Sequence, residues 1–207
     1  MKRILLILSI LLSINYCSIA QTIDKALLIT KVNKTALNLK SLECDFIQTK
    51  HISLLKDKMV SKGKMYYNSN NKLRWQYLSP YTYCFILNNS KVSLESSSKK
   101  DIIDIKNNQM FQEIAKIMMN SVTGKCLSSS SDFSVEVSTI SNKTIAILYP
   151  KKKTLRQLFN KITLNFNKDY SMIEVVELYE KTGDKTEIQL INTKLNKEIN
   201  ESIFNIN

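Results

Sequence analysis

From Leu42 to Thr193 the sequence repeatedly alternates apolar and polar side chains over short runs. A period of two puts every second side chain on the same face, so each run reads as a half-buried β-strand. Leu42, Cys44, Phe46 and Gln48 share one such face, and Met65 and Tyr67 another. Leu73, Trp75 and Tyr77 alternate with Arg74 and Gln76. Tyr81 to Leu87 and Val92 to Glu95 follow. Later, Phe133, Val135 and Val137 alternate with Ser134, Glu136 and Ser138, and Ile145 to Tyr149, Ile162 to Phe166, Glu174 to Glu180 and Glu187 to Thr193 continue the series. The connections carry Asn where Gly is the usual choice, at 68–71 and 88–89. Asn tolerates positive φ better than other side-chain-bearing residues, so hairpins survive a chain with only 3 glycines.

Two segments change period. Ile23 to Lys40 places Leu28, Val32, Ala36 and Leu39 on one helical stripe, with lysines and asparagines elsewhere. Asn108 to Val122 lines up Met110, Ile114, Ile117 and Met118, with Phe111, Ala115, Met119 and Val122 beside them. The second helix is apolar over more than half its circumference and rich in thioethers, which repack around variable shapes. It reads first as an ordinary buried helix, with a deformable lid over a ligand cavity as the alternative. Ile203-Phe204 reads as a short closing strand. Roughly ten antiparallel strands, one helix before them and one midway predict a mainly β, single-domain fold: an unclosed antiparallel barrel with both helices over its face.

The N-terminus is a targeting pattern. Lys2 and Arg3 precede an apolar run from Ile4 to Ile14, and Ser18-Ile19-Ala20 offers a small-x-small cleavage site. Eleven residues fall short of the ~20 that a membrane-spanning helix needs. Residues 1–20 are therefore expected to be a cleaved secretory signal, with 21–207 as the mature domain in the periplasm. The alternative is lipid attachment at Cys17. Without Lys2 and Arg3, the 30 basic residues fall to 28 against 18 acidic, a net charge of +10. Export argues against a nucleic-acid partner, and Lys151 to Lys153 is the one tight basic run.

Catalytic devices are thinly represented. Three glycines cannot build a phosphate-cradling loop, and the single histidine, His51, excludes a multi-histidine zinc site. His51 follows Lys50 at a strand end and reads as a surface residue. Asp101 and Asp104 bracket two isoleucines, a weak acid–base signal. Cys44, Cys84 and Cys126 match no metal or redox spacing and are expected as buried thiols. No cofactor or metal is expected.

The segments Asp45-Phe46-Ile47-Gln48, Gly63-Lys64-Met65-Tyr66-Tyr67 and Lys72-Leu73-Arg74-Trp75-Gln76-Tyr77-Leu78-Ser79-Pro80, with the turn at Asn88-Asn89, resemble the signature of LolA-type periplasmic carriers of outer-membrane lipoproteins. The order of signal, first helix, strands, mid-chain helix and strands is similar too. The resemblance implies an apolar cavity between barrel and helices that holds lipoprotein acyl chains. It also implies cargo received from an inner-membrane ABC transporter, delivery to an outer-membrane acceptor, and no bond chemistry by the carrier. A monomer is expected. Many members carry a basic residue and a Pro in the turn before the Leu-Arg-Trp strand, where this chain has Ser69-Asn70. Arg74 is the nearest substitute for a gating residue.

Acyl chains gain about 0.8 kcal/mol per methylene removed from water, so a carrier needs an apolar pocket that is not too snug to release them. The lining candidates are Leu28, Val32, Phe46, Met65, Tyr67, Leu73, Trp75, Tyr77, Ile114 and Met118. For any one of them, sequence alone favours plain core packing. Competing readings are a carrier of another lipid or glycolipid precursor, a non-catalytic envelope interaction module, and an enzyme.

Overall fold

A computed structural model describes residues 25–206 except 56, 107, 129–130 and 141–142. The expected signal segment and Cys17 lie outside the described residues. Eleven strands form one sheet: β1 (Ser41–His51), β2 (Lys58–Asn68), β3 (Lys72–Ser79), β4 (Tyr83–Asn88), β5 (Lys91–Ser96), β6 (Lys100–Asp104), β7 (Phe133–Ile140), β8 (Lys143–Pro150), β9 (Phe159–Phe166), β10 (Ile173–Glu180) and β11 (Lys185–Leu195). Their order is β6-β5-β4-β3-β2-β1-β11-β10-β9-β8-β7, antiparallel throughout, and the sheet does not close because β6 and β7 stay at its edges. The chain runs outward from β1 to one edge, crosses over through a helix to the other, and returns to pair β11 with β1.

Helix α1 (Lys25–Asn38) buries Leu28, Val32 and Ala36, the predicted stripe. Helix α2 (Gln109–Thr123) is the crossover. A third helix, α3 (Lys153–Leu158), was not expected, because its lysines read as a solvated charge run. Lys152, at its start, instead pairs with Asp132 at 2.8 Å and Glu113 at 3.0 Å. The hairpin turns at Asn71 and Asn89 have φ of 63° and 55°, the left-handed backbone that Asn supplies in place of Gly.

The C-terminus corrects the sequence reading. Glu201–Phe204 forms a 3₁₀ turn rather than a closing strand, because the Asn200 side chain accepts from the Ser202 N–H at 3.0 Å and caps it. Phe204 is fully buried. Its segment docks on the face of β3 and β4 away from α2, where Arg74 Nη1 donates to the Ile203 carbonyl at 2.9 Å and Asn88 Nδ2 to that of Phe204 at 3.1 Å.

The interior has two cores. One joins α1 and α3 to β7–β10 through Leu28, Val32, Leu148, Leu155, Ile162 and Leu164. The other lies under β1–β5 and includes Phe46, Met65, Leu73, Trp75 and Leu87. Ile188 on β11 packs against both. Helix α2 spans the seam, giving Ile117 to the first core and Ala115, Val122 and Met118 to the second.

Candidate functional site

The cavity lies in that seam. Along β1 the inward row runs Leu42, Cys44, Phe46, all buried, and then Gln48, so the apolar series stops where β1 and β11 leave the core. Opposite Gln48 stands Ile188, and one step on Lys50 faces Thr186. Small or polar side chains replace large apolar ones here, and the two halves of the sheet do not merge their packing. The result is a cavity of about 210 Å³. Its sheet wall is Gln48, Trp75, Tyr77, Phe159, Val176, Leu178, Thr186 and Ile188, and its helix wall is Ile117, Met118, Ser121 and Val122 from α2.

An aromatic cluster builds the β1–β3 side. Phe46 stands opposite Gly63, and Gly63 opposite Tyr77, so one row crosses three strands. A Cβ at position 63 would sit 2.6 Å from Phe46 Cζ, so glycine is what lets the ring lie across β2. The ring meets Trp75 at 4.5 Å between centroids and Tyr77 edge-on at 5.2 Å. Burial pushes the Tyr77 hydroxyl pKa up, against the opposing pull of Trp75 and Gln48. That hydroxyl donates to Gln48 Oε1 at 2.9 Å. The Trp75 side chain is 3% exposed, and its indole lies beside the Tyr77 hydroxyl.

Of the predicted lining residues, Trp75, Tyr77 and Met118 are on the cavity wall. Phe46 supports the wall from behind. Leu28 and Val32 lie in the first core, and Met65, Tyr67 and Leu73 in the second, all closely packed away from the cavity. Ile114 is on α2, and its side chain is outside the described set. Arg74 points to the opposite face of β3 from Trp75 and holds the C-terminal segment and Gln76, not the helices. Sequence reasoning missed Phe159, Val176, Leu178 and Ile188. Their alternation was visible, but alternation does not tell a filled position from one beside a void.

The cavity sits toward one end of the sheet, near the last residues of β1, β3 and β10 and the first of β9 and β11. At that end the β1–β2 and β3–β4 loops expose Leu54, Leu55 and Tyr81, beside exposed Met59 at the start of β2 and Leu78 at the end of β3, with Leu54 93% accessible. Ser53 N–H donates to Asp184 Oδ1 at 3.0 Å, and Lys50 pairs with Glu180 at 3.3 Å, so the β1–β2 and β10–β11 hairpins are tied together there. The Ser69-Asn70 turn belongs to the other end, beside Asn196–Glu201 in a polar cleft.

The titratable residues weighed in the sequence as catalytic candidates do not come together among the described residues. His51 is exposed at the end of β1. Asp101 pairs with Lys99 at 2.8 Å, and Asp104 accepts from the Lys106 N–H at 2.9 Å, so the two carboxylates are engaged separately on edge strand β6. The three described cysteines are free and buried.

With that architecture in view, residues 37–207 match the family model for the outer membrane lipoprotein carrier protein LolA. The chain belongs to the LolA family. No curated protein matches it. Among solved structures it is similar to a DUF1329 family protein from Desulfovibrio piger, at 10% identity and TM-score 0.51, covering 87% of this chain and 95% of that one. An uncharacterized conserved protein from Thermus thermophilus is similar at 10% identity and TM-score 0.51, covering 86% and 91%. MucB is similar at 9% identity and TM-score 0.51, covering 90% of this chain and 64% of MucB. At these identities the likeness is one of fold alone.

Proposed function

We propose that this LolA-family chain is a periplasmic, non-catalytic carrier that shields lipoprotein acyl chains in the seam cavity between inner and outer membranes. The observation that carries the reading is the cavity itself. Two separately packed cores leave an apolar space, and its lid is a helix whose contribution includes Met118. With the 30 Å³ or so of a liquid water as a measure for a methylene, 210 Å³ takes about seven of them. At about 0.8 kcal/mol each, that is roughly 5–6 kcal/mol, a reversible hold rather than a trap. Longer or multiple chains need α2 to move away from β10 and widen the seam. Flexible thioethers ease that repacking. An inner-membrane ABC transporter would load the carrier and an outer-membrane acceptor would unload it.

The test is the cargo. Protein extracted gently from the periplasm should carry lipoprotein that mass spectrometry identifies by its acylated N-terminal peptide. A glycolipid precursor recovered in its place would support the same fold serving another lipid. A mature chain that starts at Gln21 would support the soluble carrier, and a diacylated Cys17 would contradict it.

A further inference from the structure

Leu54, Leu55, Met59, Val60, Leu78 and Tyr81 are all exposed at the end of the sheet that holds the cavity. Strand pairing explains part of this. β1 and β2 stay paired up to His51 opposite Lys58, but β3 joins β2 only from Ser79 opposite Lys62. Residues 58–61 of β2 therefore overhang β3 by about 13 Å of strand. Met59 and Val60 take opposite faces of that overhang, and both are exposed. At its tip the Leu55 N–H closes a turn onto the Ile52 carbonyl at 2.9 Å, which presents Leu54 to water. The Ser53–Asp184 and Lys50–Glu180 contacts brace the hairpin from behind. Large apolar side chains grouped in water mark an interaction site.

We infer that the β1–β2 tip is a membrane-contact surface, which dips into an anionic phospholipid bilayer and sets the cavity end of the sheet against the lipid. The inference goes beyond the carrier reading, which needs a cavity but no contact with a membrane. Charge selects the partner. Lys58, Lys62 and Lys181 are exposed at this end, beside the exposed carboxylate of Asp57. The acids of the adjoining β10–β11 hairpin, Glu180 and Asp184, are paired with Lys50 at 3.3 Å and 3.6 Å. An apolar tip with lysines around it suits a bilayer, because the leucines reach the acyl boundary while the ammonium groups stay among the phosphates. Tyr81, 76% exposed, has the amphipathic ring favoured at headgroup depth. A tip open on both faces also fits a fluid surface better than a shaped groove in another protein.

Vesicle cosedimentation tests it, with the chain from Gln21 onward, which keeps every described element. The protein should bind vesicles of phosphatidylethanolamine and phosphatidylglycerol, less tightly at raised salt, and bind phosphatidylcholine vesicles more weakly. A leucine withdrawn from water is worth about ten-fold in binding, so Leu54→Glu combined with Leu55→Glu should weaken it about a hundred-fold. Leu37→Glu should leave it unchanged, since Leu37 is 85% exposed but sits on the last turn of α1, which leads into the far end of β1. The described native cysteines are buried, so a fluorophore attached at Leu54→Cys reports on the tip, and its emission should move to the blue with anionic vesicles. No binding by the parent, equal binding by the double variant, or a fluorophore that stays in water would overturn the inference. A dimer that the same double substitution dissociates would also overturn it, by giving the tip to a second copy. An acyl probe that still binds saturably in solution when vesicles are not bound would leave the carrier reading standing.

Discussion

Gly63→Ala brings two physical effects into conflict, and the structure gives the winner. Glycine in a strand interior is worse than alanine by about 0.5–1 kcal/mol, so propensity alone makes this substitution stabilising. The position says otherwise. A Cβ there would lie 2.0 Å from the Gln76 carbonyl oxygen and 2.6 Å from Phe46 Cζ. The carbonyl is backbone of the neighbouring strand and cannot rotate away. Ordinary contact begins near 3.4 Å, so β2 and β3 would have to part by about 1.4 Å. A shift of that size breaks the adjoining interstrand hydrogen bonds, at about 1 kcal/mol each, on top of about 1–3 kcal/mol of overpacking. The expected net loss is about 3 kcal/mol. Urea unfolding followed by Trp75 fluorescence should show the midpoint falling by about 1–2 M at unchanged slope. Adding Phe46→Leu should recover little, because the closer clash is with backbone. A Gly63→Ala protein as stable as the parent would refute the reasoning.

Three further outcomes follow from other parts of the structure. Burial, with help from Asp45 and Glu43, pushes the Cys44 thiol to about 12, while burial takes Cys84 to about 11 and Cys126 to about 12. The mature folded protein should therefore show no thiol reactive to Ellman's reagent at pH 8, and three in denaturant. Phe204→Ala should lose about 3–5 kcal/mol by thermal or urea unfolding, since its fully buried ring closes the outer face of β3 and β4. Burial would raise the Glu177 pKa, but hydrogen bonds from Lys185 and Thr163 outweigh it and hold the carboxyl below its ordinary value. A depressed carboxyl stabilises the fold above that ordinary value and loses the contribution as pH falls through the depressed one. Glu177→Gln should flatten the acid side of the stability–pH curve, and an unchanged acid limb would contradict the pairing.

Much of the fold was readable because period-2 patterning is imposed by the sheet itself. Leu73, Trp75 and Tyr77 lie on one face of β3 and Arg74 on the other, as alternation requires. The asparagine turns adopt the positive φ that made them turn candidates. What escaped was set by long-range contacts. α3 hid in a lysine run whose first member is an ion-pair anchor for Asp132 and Glu113. β6 is five residues at an edge with alternate residues exposed. Glu201–Phe204 depends on an asparagine cap and on carbonyl contacts from strands more than a hundred residues earlier. The cavity was the least legible feature. Leu28 and Leu178 look alike in sequence, yet one packs fully and the other borders a void, because the void arises from the mismatch of two cores across the β1–β11 seam.

Whether that seam admits hydrocarbon is the point on which the account turns. An acyl-chain fluorophore that accepts energy from Trp75 measures it directly. A saturable, one-site signal in the parent, lost in a folded Ser121→Phe variant that fills the α2 side of the cavity, is the predicted result. Energy transfer that fails to saturate, or that survives unchanged when the cavity is filled, would contradict it.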